Sequence, residues 1–172
     1  MELGKAEVIL VSGPVTLKEH HPNIRRIDVE SAEEMYEEAR RAYTDADAGI
    51  LCAAVADFTP DHTADHKIKR GKDGMTIQLK PTKDIAASLG ATKKEGQVLV
   101  GFALETNDEQ QNAKGKLERK NFDFIVLNSL NDKGAGFRVD TNKISIIDRQ
   151  DTTSYPLKNK SEVAKDIIDR LV

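Results

Sequence analysis

A chain of 172 residues is long enough for one ordinary domain and too short for two comfortable ones. Its 26 Lys and Arg against 29 Asp and Glu give a formal net charge of −3, which argues against a broadly basic nucleic-acid binder. No apolar run approaches the roughly 18 residues of a membrane-spanning helix. Met1-Glu2-Leu3-Gly4-Lys5 lack the long apolar stretch expected of a secretory signal, and the single cysteine, Cys52, disfavours a disulfide scaffold and a cysteine-cluster metal site. A reducing cytoplasm is the simplest location for such a chain.

Two kinds of segment alternate. Short β-branched runs at Val8-Ile9-Leu10-Val11, 49–54, 98–102 and 124–128 are continuously apolar. That pattern predicts strands of a mainly parallel sheet with helices on both faces. Ser31-Ala32-Glu33-Glu34 reads as a capping box opening a helix to about Thr44, with Met35, Ala39 and Ala42 inward. Residues 55–74 form a long polar loop of the kind used as a lid or binding loop. Met75 to Leu79 alternate cleanly and predict a half-exposed strand. A short helix is expected over 83–89, and a longer one over 108–120 behind an Asn107 cap. A late antiparallel hairpin is expected from 144–147 and 154–157 around Arg149-Gln150-Asp151. The final helix, 161–172, places Val163, Ile167, Ile168 and Leu171 on one side. With no repeat or linker, the pattern predicts one α/β domain with a Rossmann-like, mainly parallel sheet and a small antiparallel extension.

In open parallel sheets, ligands bind beyond the carboxyl ends of the strands. There the chain carries Ser12-Gly13-Pro14-Val15, Ala53-Ala54-Val55-Ala56-Asp57, Gly101-Phe102-Ala103-Leu104-Glu105-Thr106-Asn107 and Asn128. Small residues at a strand end leave room for a flat group such as a nucleobase; equally, they fill tight strand–helix contacts. Lys67-Ile68-Lys69-Arg70-Gly71-Lys72 packs four cations into six loop positions. Lys114, Lys116, Arg119 and Lys120 cluster near a helix end, with 116 and 120 on one face. Lys120 there also offsets the helix dipole. In an acidic chain, a cationic loop facing an alanine-lined sheet edge suggests a polyphosphate ligand. His62 and His66 have H-x-x-x-H spacing, but the Pro60-containing polar loop does not predict the helix a metal pair would need. Cys52, between Leu51 and Ala53, is expected to be buried packing.

The ordered set of Ser12-Gly13-Pro14-Val15, Ala53-Ala54-Val55-Ala56-Asp57, Lys67-Ile68-Lys69, Gly101-Phe102-Ala103-Leu104-Glu105-Thr106, Lys116, Lys120-Asn121-Phe122-Asp123-Phe124-Ile125-Val126-Leu127-Asn128 and Gly136-Phe137 with Asp140 and Asn142 resembles phosphopantothenoylcysteine synthetase. The resemblance covers nearly the whole chain. It implies a ligase of coenzyme A biosynthesis: CTP, with Mg²⁺, activates 4′-phosphopantothenate as an acyl-cytidylate, and cysteine then forms the amide as CMP leaves. Among site residues it implies Lys67 as catalytic and phosphate-binding, and Cys52, Ala53, Ala54 and Asp57 beside the nucleotide. It further implies Lys83, Asp84, Ile85 and Ala86 as a turn next to the nucleotide, Phe102 as the adjacent aromatic, and Lys116 and Lys120 as further triphosphate or nucleotide contacts.

The resemblance also implies a homodimer and a flavin-dependent decarboxylase domain, fused or associated. Arg70 stands where the family usually has lysine and keeps the charge. The family's glycine-rich first strand–loop, with its asparagine and Ser-Ser-Gly, has no counterpart before Val8. The pantothenate side is therefore expected to be incomplete and the nucleotide side intact. Two alternatives remain beside the ligase: a catalytically incomplete nucleotide-binding module, and an NAD(P)-dependent oxidoreductase, for which the phosphate-binding glycine fingerprint is missing.

Overall fold

The computed structural model describes residues 6–69, 74–105, 108–129 and 139–172. In chain order the elements are β1 (Val8–Ser12), β2 (Ile24–Asp28), α1 (Ala32–Tyr43), β3 (Ala48–Leu51), β4 (Phe58–Pro60) and β5 (Leu79–Pro81). There follow α2 (Ile85–Thr92), β6 (Val98–Glu105), α3 (Glu109–Arg119), β7 (Phe124–Ser129), β8 (Thr141–Asn142), β9 (Ile144–Asp148), β10 (Thr152–Ser154), β11 (Lys158–Asn159) and α4 (Lys160–Leu171). They form two compact units, Met1–Ala39 with Ala53–Asp84, and Arg40–Cys52 with Ile85–Val172.

In the first unit, β1 and β2 pair in parallel, from Val8 opposite Ile24 to Ser12 opposite Asp28. The apolar run of β1 was expected to be covered on both faces, yet Val8, Ile9 and Leu10 are exposed. The physical reason is that among the described residues β1 and β2 make a two-stranded sheet, which leaves its faces largely uncovered. The capping box forms as expected. Glu34 donates its N–H to Ser31 Oγ at 3.1 Å, and the Glu34 carboxylate accepts from the N–H groups of Glu30 and Ser31 at 2.7 and 3.1 Å. Those backbone donors hold the Glu34 carboxyl below its ordinary range.

The antiparallel pair β4–β5 runs from Phe58 opposite Pro81 to Pro60 opposite Leu79. This corrects the strand expected over 75–79. Met75 to Gln78 are exposed and lie outside any strand, and only Leu79 enters the pairing. Alternation marks a strand only where one face is buried, and here neither face is.

The second unit carries a five-stranded sheet in the order β10-β9-β7-β6-β3. Strands β3, β6 and β7 are parallel, whereas β9 and β10 are antiparallel, giving the α/β class with its antiparallel extension. Val100, Phe124, Val126, Ile144 and Ile146 pack with Val163 and Ile167 of α4 in one buried cluster. The intervening positions Leu99, Ile125, Leu127 and Ile147 are buried too, as are Ala113 and Leu117 of α3. Both strand faces are therefore apolar, which explains the unbroken hydrophobic runs. Each such valine, leucine, isoleucine or phenylalanine contributes roughly 1.5–3 kcal/mol by leaving water.

Local signals set the helix ends. The helix expected over 83–89 is α2, displaced toward the C-terminus. The cap residue of α3 is Asp108 (φ 45°); the expected cap, Asn107, lies outside the described residues. The last turn of α3 closes with Asn121 N–H on Glu118 O (3.2 Å) and Phe122 N–H on Leu117 O (3.0 Å). With Asn121 left-handed at φ 50°, this is a Schellman cap. Helix α4 begins at Lys160, one residue before the expected Ser161, and Glu162 reaches back to the Asn159 N–H at 3.2 Å. The hairpin pairs Thr152 with Ile147, two residues earlier in its second strand than expected, because Asp148 Oδ1 takes the Gln150 and Asp151 N–H groups at 2.7 Å each and tightens the turn.

Candidate functional site

The predicted site residues divide between the two units. Ala53, Ala54, Asp57, Lys67, Lys83 and Asp84 belong to the first; Cys52, Ile85, Ala86, Phe102, Lys116 and Lys120 belong to the second.

In the first unit Asp57 sits just before β4 and is exposed, as are Ala53 and Ala54. Its backbone carbonyl accepts the Thr82 N–H at 2.9 Å, and the Thr82 hydroxyl donates to Ala56 O at 2.7 Å. Thr82 thus ties the Ala56–Asp57 backbone to the turn carrying Lys83 and Asp84, two segments some 25 residues apart in sequence that were predicted separately. Lys83 is committed elsewhere: its ammonium pairs with Glu33, approaches Glu37 at 3.5 Å and lies 4.5 Å from the Tyr36 ring centroid. The hydrogen bond to Glu33 raises its pKa above the ordinary lysine value. Lys67 is exposed, and the neighbouring Arg70, Gly71 and Lys72 lie outside the described residues.

In the second unit β3 ends at Leu51, so Cys52 follows the strand and is exposed rather than buried; this corrects the expected packing role. Ile85 is buried at the start of α2, and Ala86 is half-buried. Phe102 is half-buried and packs against the apolar cluster that includes Val163 and Ile167. Gly101 has a packing reason: a Cβ there would meet the Phe122 ring, with Cδ2 at 2.8 Å. Part of the Gly101-Phe102 and Asn121-Phe122-Asp123 signature is therefore structural. Asp123 extends this role, accepting the Leu99 N–H at 2.6 Å and both contacts of Lys93 Nζ at 3.0 Å. Of the hairpin-side signature, Gly136 and Phe137 lie outside the described residues.

The clearest assembly of charge lies at the C-terminal end of β6. Lys116 Nζ on α3 meets Glu105 Oε1 at 2.6 Å, and Asn112 Nδ2 lies 3.4 Å from Glu105 Oε2. Both partners are sheltered, the Lys116 side chain 36% exposed and that of Glu105 15%. They border an open cleft of about 380 Å³, also lined by Gln111, Asn112, Gly115 and Arg119. Lys120, one turn beyond Lys116, donates its N–H to Lys116 O at 3.0 Å as the helix ends. Glu105 stood in the sequence motif without an assigned role. Its partner is eleven residues away across a strand–helix turn, and no spacing rule predicts that contact.

Among the described residues no group of three or more His, Cys, Asp and Glu side chains assembles into a metal site, and no helix is long and apolar enough to cross a membrane. His62 Nε2 lies 3.2 Å from its neighbour Asp61.

This parallel strand–helix architecture, with its charged cleft at a strand end, defines an α/β domain. The family described as DNA/pantothenate metabolism flavoprotein C-terminal domain matches residues 1–172, and the chain belongs to it. It is 44% identical over 172 residues to the coenzyme A biosynthesis bifunctional protein CoaBC of Bacillus subtilis (strain 168), covering 99% of this chain and 42% of that protein. It is 57% identical over 168 residues to a protein of an unknown prokaryotic organism named cysteine/cysteine sulfinic acid decarboxylase, covering 97% of this chain and 47% of that one. The chain thus spans less than half the length of these relatives. A crystal structure of the C-terminal domain of a coenzyme A biosynthesis bifunctional protein CoaBC superimposes with a TM-score of 0.78 at 34% identity, covering 96% of this chain and 72% of that one.

Proposed function

We propose that the chain is the phosphopantothenate–cysteine ligase part of a coenzyme A biosynthesis enzyme. In the first step a carboxylate oxygen of 4′-phosphopantothenate attacks the α-phosphorus of CTP. The bond from that phosphorus to the bridging oxygen breaks, and pyrophosphate leaves with the electron pair. In the second step the cysteine amine attacks the acyl carbon and loses a proton, the amide forms, and CMP departs.

The observation that carries this reading is the Lys116 ammonium, held at the end of β6 beside a cleft that Arg119 also lines. Attack of one anion on another is slow unless fixed cations take up the charge moving onto the leaving pyrophosphate. Lys116, Lys120 and the exposed loop residue Lys67 are assigned to the triphosphate, Lys67 acting in the first step. Cys52, Ala53, Ala54, Asp57, Phe102 and the 83–86 turn are assigned to the nucleoside side. Magnesium would further neutralise the phosphates. The proposed partners are a second copy of the chain and a flavin-dependent decarboxylase domain, in keeping with the bifunctional relatives.

The test is pyrophosphate release from CTP measured with and without 4′-phosphopantothenate, followed by amide formation on adding cysteine. Release that requires the carboxylate substrate supports the ligase. Saturable CTP binding without turnover in the presence of 4′-phosphopantothenate overturns it in favour of a nucleotide-binding module. The 57% identical relative motivates a second reading, participation in decarboxylation of cysteine or cysteine sulfinic acid. Carbon dioxide release from either compound by the full-length protein, lost when this part is altered, would favour it.

A further inference from the structure

The cleft at the end of β6 holds two cations and one carboxylate on closely spaced elements. Gln111, Asn112, Gly115, Lys116 and Arg119 fall on one face of α3, at spacings of one, three, one and three residues, and Glu105 faces them from the strand. Gly115 shapes this face: a Cβ there would lie 3.0 Å from Arg119 Nη1, so its absence lets the guanidinium fold back over the helix. Arg119 is exposed, whereas Lys116 is engaged by Glu105 at 2.6 Å.

We propose that this cleft is a phosphate subsite in which Arg119 and Lys116 share one phosphate group, and that Glu105 is the resident counter-ion which the entering phosphate displaces. The proposal rests on the triphosphate reading given above and adds to it two residues, Arg119 as a direct ligand and Glu105 as a competitor. The chemistry follows from charge. A guanidinium presents a planar fork of donors matched to phosphate oxygens, and an ammonium presents a compact point charge. Without ligand, a sheltered ammonium beside a polar cleft needs a counter-ion, and Glu105 supplies it. A phosphate carries more negative charge than a carboxylate and can exchange for it, but the displaced carboxylate then repels the newcomer. Glu105 would therefore keep weakly charged anions out while admitting a polyphosphate.

The competitor role makes a prediction opposite in sign to a merely structural one. Tripolyphosphate binding to the 172-residue chain is measured by calorimetry at fixed ionic strength without divalent ions, with thermal melts verifying that each variant folds. Glu105→Gln keeps the shape and the Asn112 contact but removes the charge. It should tighten tripolyphosphate by about tenfold, whereas loss of a scaffold would weaken it. Arg119→Gln should weaken binding by about tenfold and make it less sensitive to salt. Gly115→Ala, which crowds the guanidinium without removing it, should weaken it by a few-fold. Lys116→Ala separates the two levels of inference. If it weakens tripolyphosphate while Glu105→Gln and Arg119→Gln stay within twofold of the parent, the subsite proposal is overturned and the triphosphate reading stands. If Lys116→Ala also leaves binding unchanged, both fall.

Discussion

The backbone-to-backbone contact between α2 and the end of α3 sets up a sharp test, Gly90→Ala. Gly90 is buried, and a Cβ built there would run into the Lys120 carbonyl oxygen, with the carbonyl carbon at 2.8 Å and Asn121 Cβ at 3.3 Å. Ordinary contact begins near 3.4 Å. The obstruction is main chain already held by the Schellman cap, by Asn121 Nδ2 on Gly90 O at 3.0 Å and by Lys93 Nζ on Asn121 O at 2.9 Å, so it has little freedom to retreat. Alanine in a helix interior would by itself gain up to about 1 kcal/mol over glycine. Overpacking of this kind costs about 1–3 kcal/mol, and here it falls on two rigid backbones, so a net loss of about 2 kcal/mol is expected. For a chain of this length that lowers Tm by about 4–8 °C. Gly115→Ala is the internal control. Its Cβ would meet only the movable end of Arg119, so helix propensity should dominate and Tm should rise by about 2–4 °C. Melting followed by circular dichroism reads both variants. A Gly90→Ala protein as stable as the parent would refute the argument that this glycine is required by the packing of Lys120.

Asp148 accepts two backbone N–H groups in the β9–β10 turn and pairs with Arg170, and the backbone bonds foremost hold its carboxyl below the ordinary aspartate range. A depressed folded-state pKa stabilises above the unfolded value and is lost as pH falls through the folded one. The stability difference between the parent and Asp148→Asn should accordingly be full at neutral pH and shrink below about pH 4, as urea titrations across pH would read. Tyr43 shifts the opposite way: burial first, and the Asp123 charge second, push its phenol up to about 12. Its contribution is present below the unfolded value near 10 and lost as pH rises toward 12; one of the three tyrosines should titrate late by ultraviolet absorbance, and Tyr43→Phe should abolish that phase. Lys67→Gln should cut pyrophosphate release by at least about tenfold while moving Tm by less than about 2 °C, because an exposed loop lysine packs little. A matching loss of stability and rate would remove Lys67 from the reaction.

Much of this molecule was legible in the order of residues because the signals are local. The Ser31–Glu34 capping box, the final amphipathic helix with Val163 and Ile167 inward, and the apolar runs of β6 and β7 all follow from hydrogen-bonding capacity and periodicity within a few positions. The failures share a cause. Val8 to Leu10 read as a doubly covered strand, and Met75 to Gln78 as a half-buried one. Both judgements presumed neighbours that only folding supplies, and neither segment is covered as assumed. Cys52 is exposed and lies beyond β3, which stops at Leu51, three residues short of the expected run, a boundary no propensity marks.

The charged site divides in the same way. Clustered lysines suggest an anionic ligand from the sequence alone, since net charge and helical spacing require no tertiary knowledge. The counter-ion each basic side chain takes was decided by the fold. Lys83 is drawn onto Glu33 and Tyr36, Lys116 is held by Glu105, and Arg119 lies over the gap left by Gly115. A side chain's type travels with the polypeptide, but its counter-ion is chosen by distance in space, and that distance exists only once strand and helix have packed.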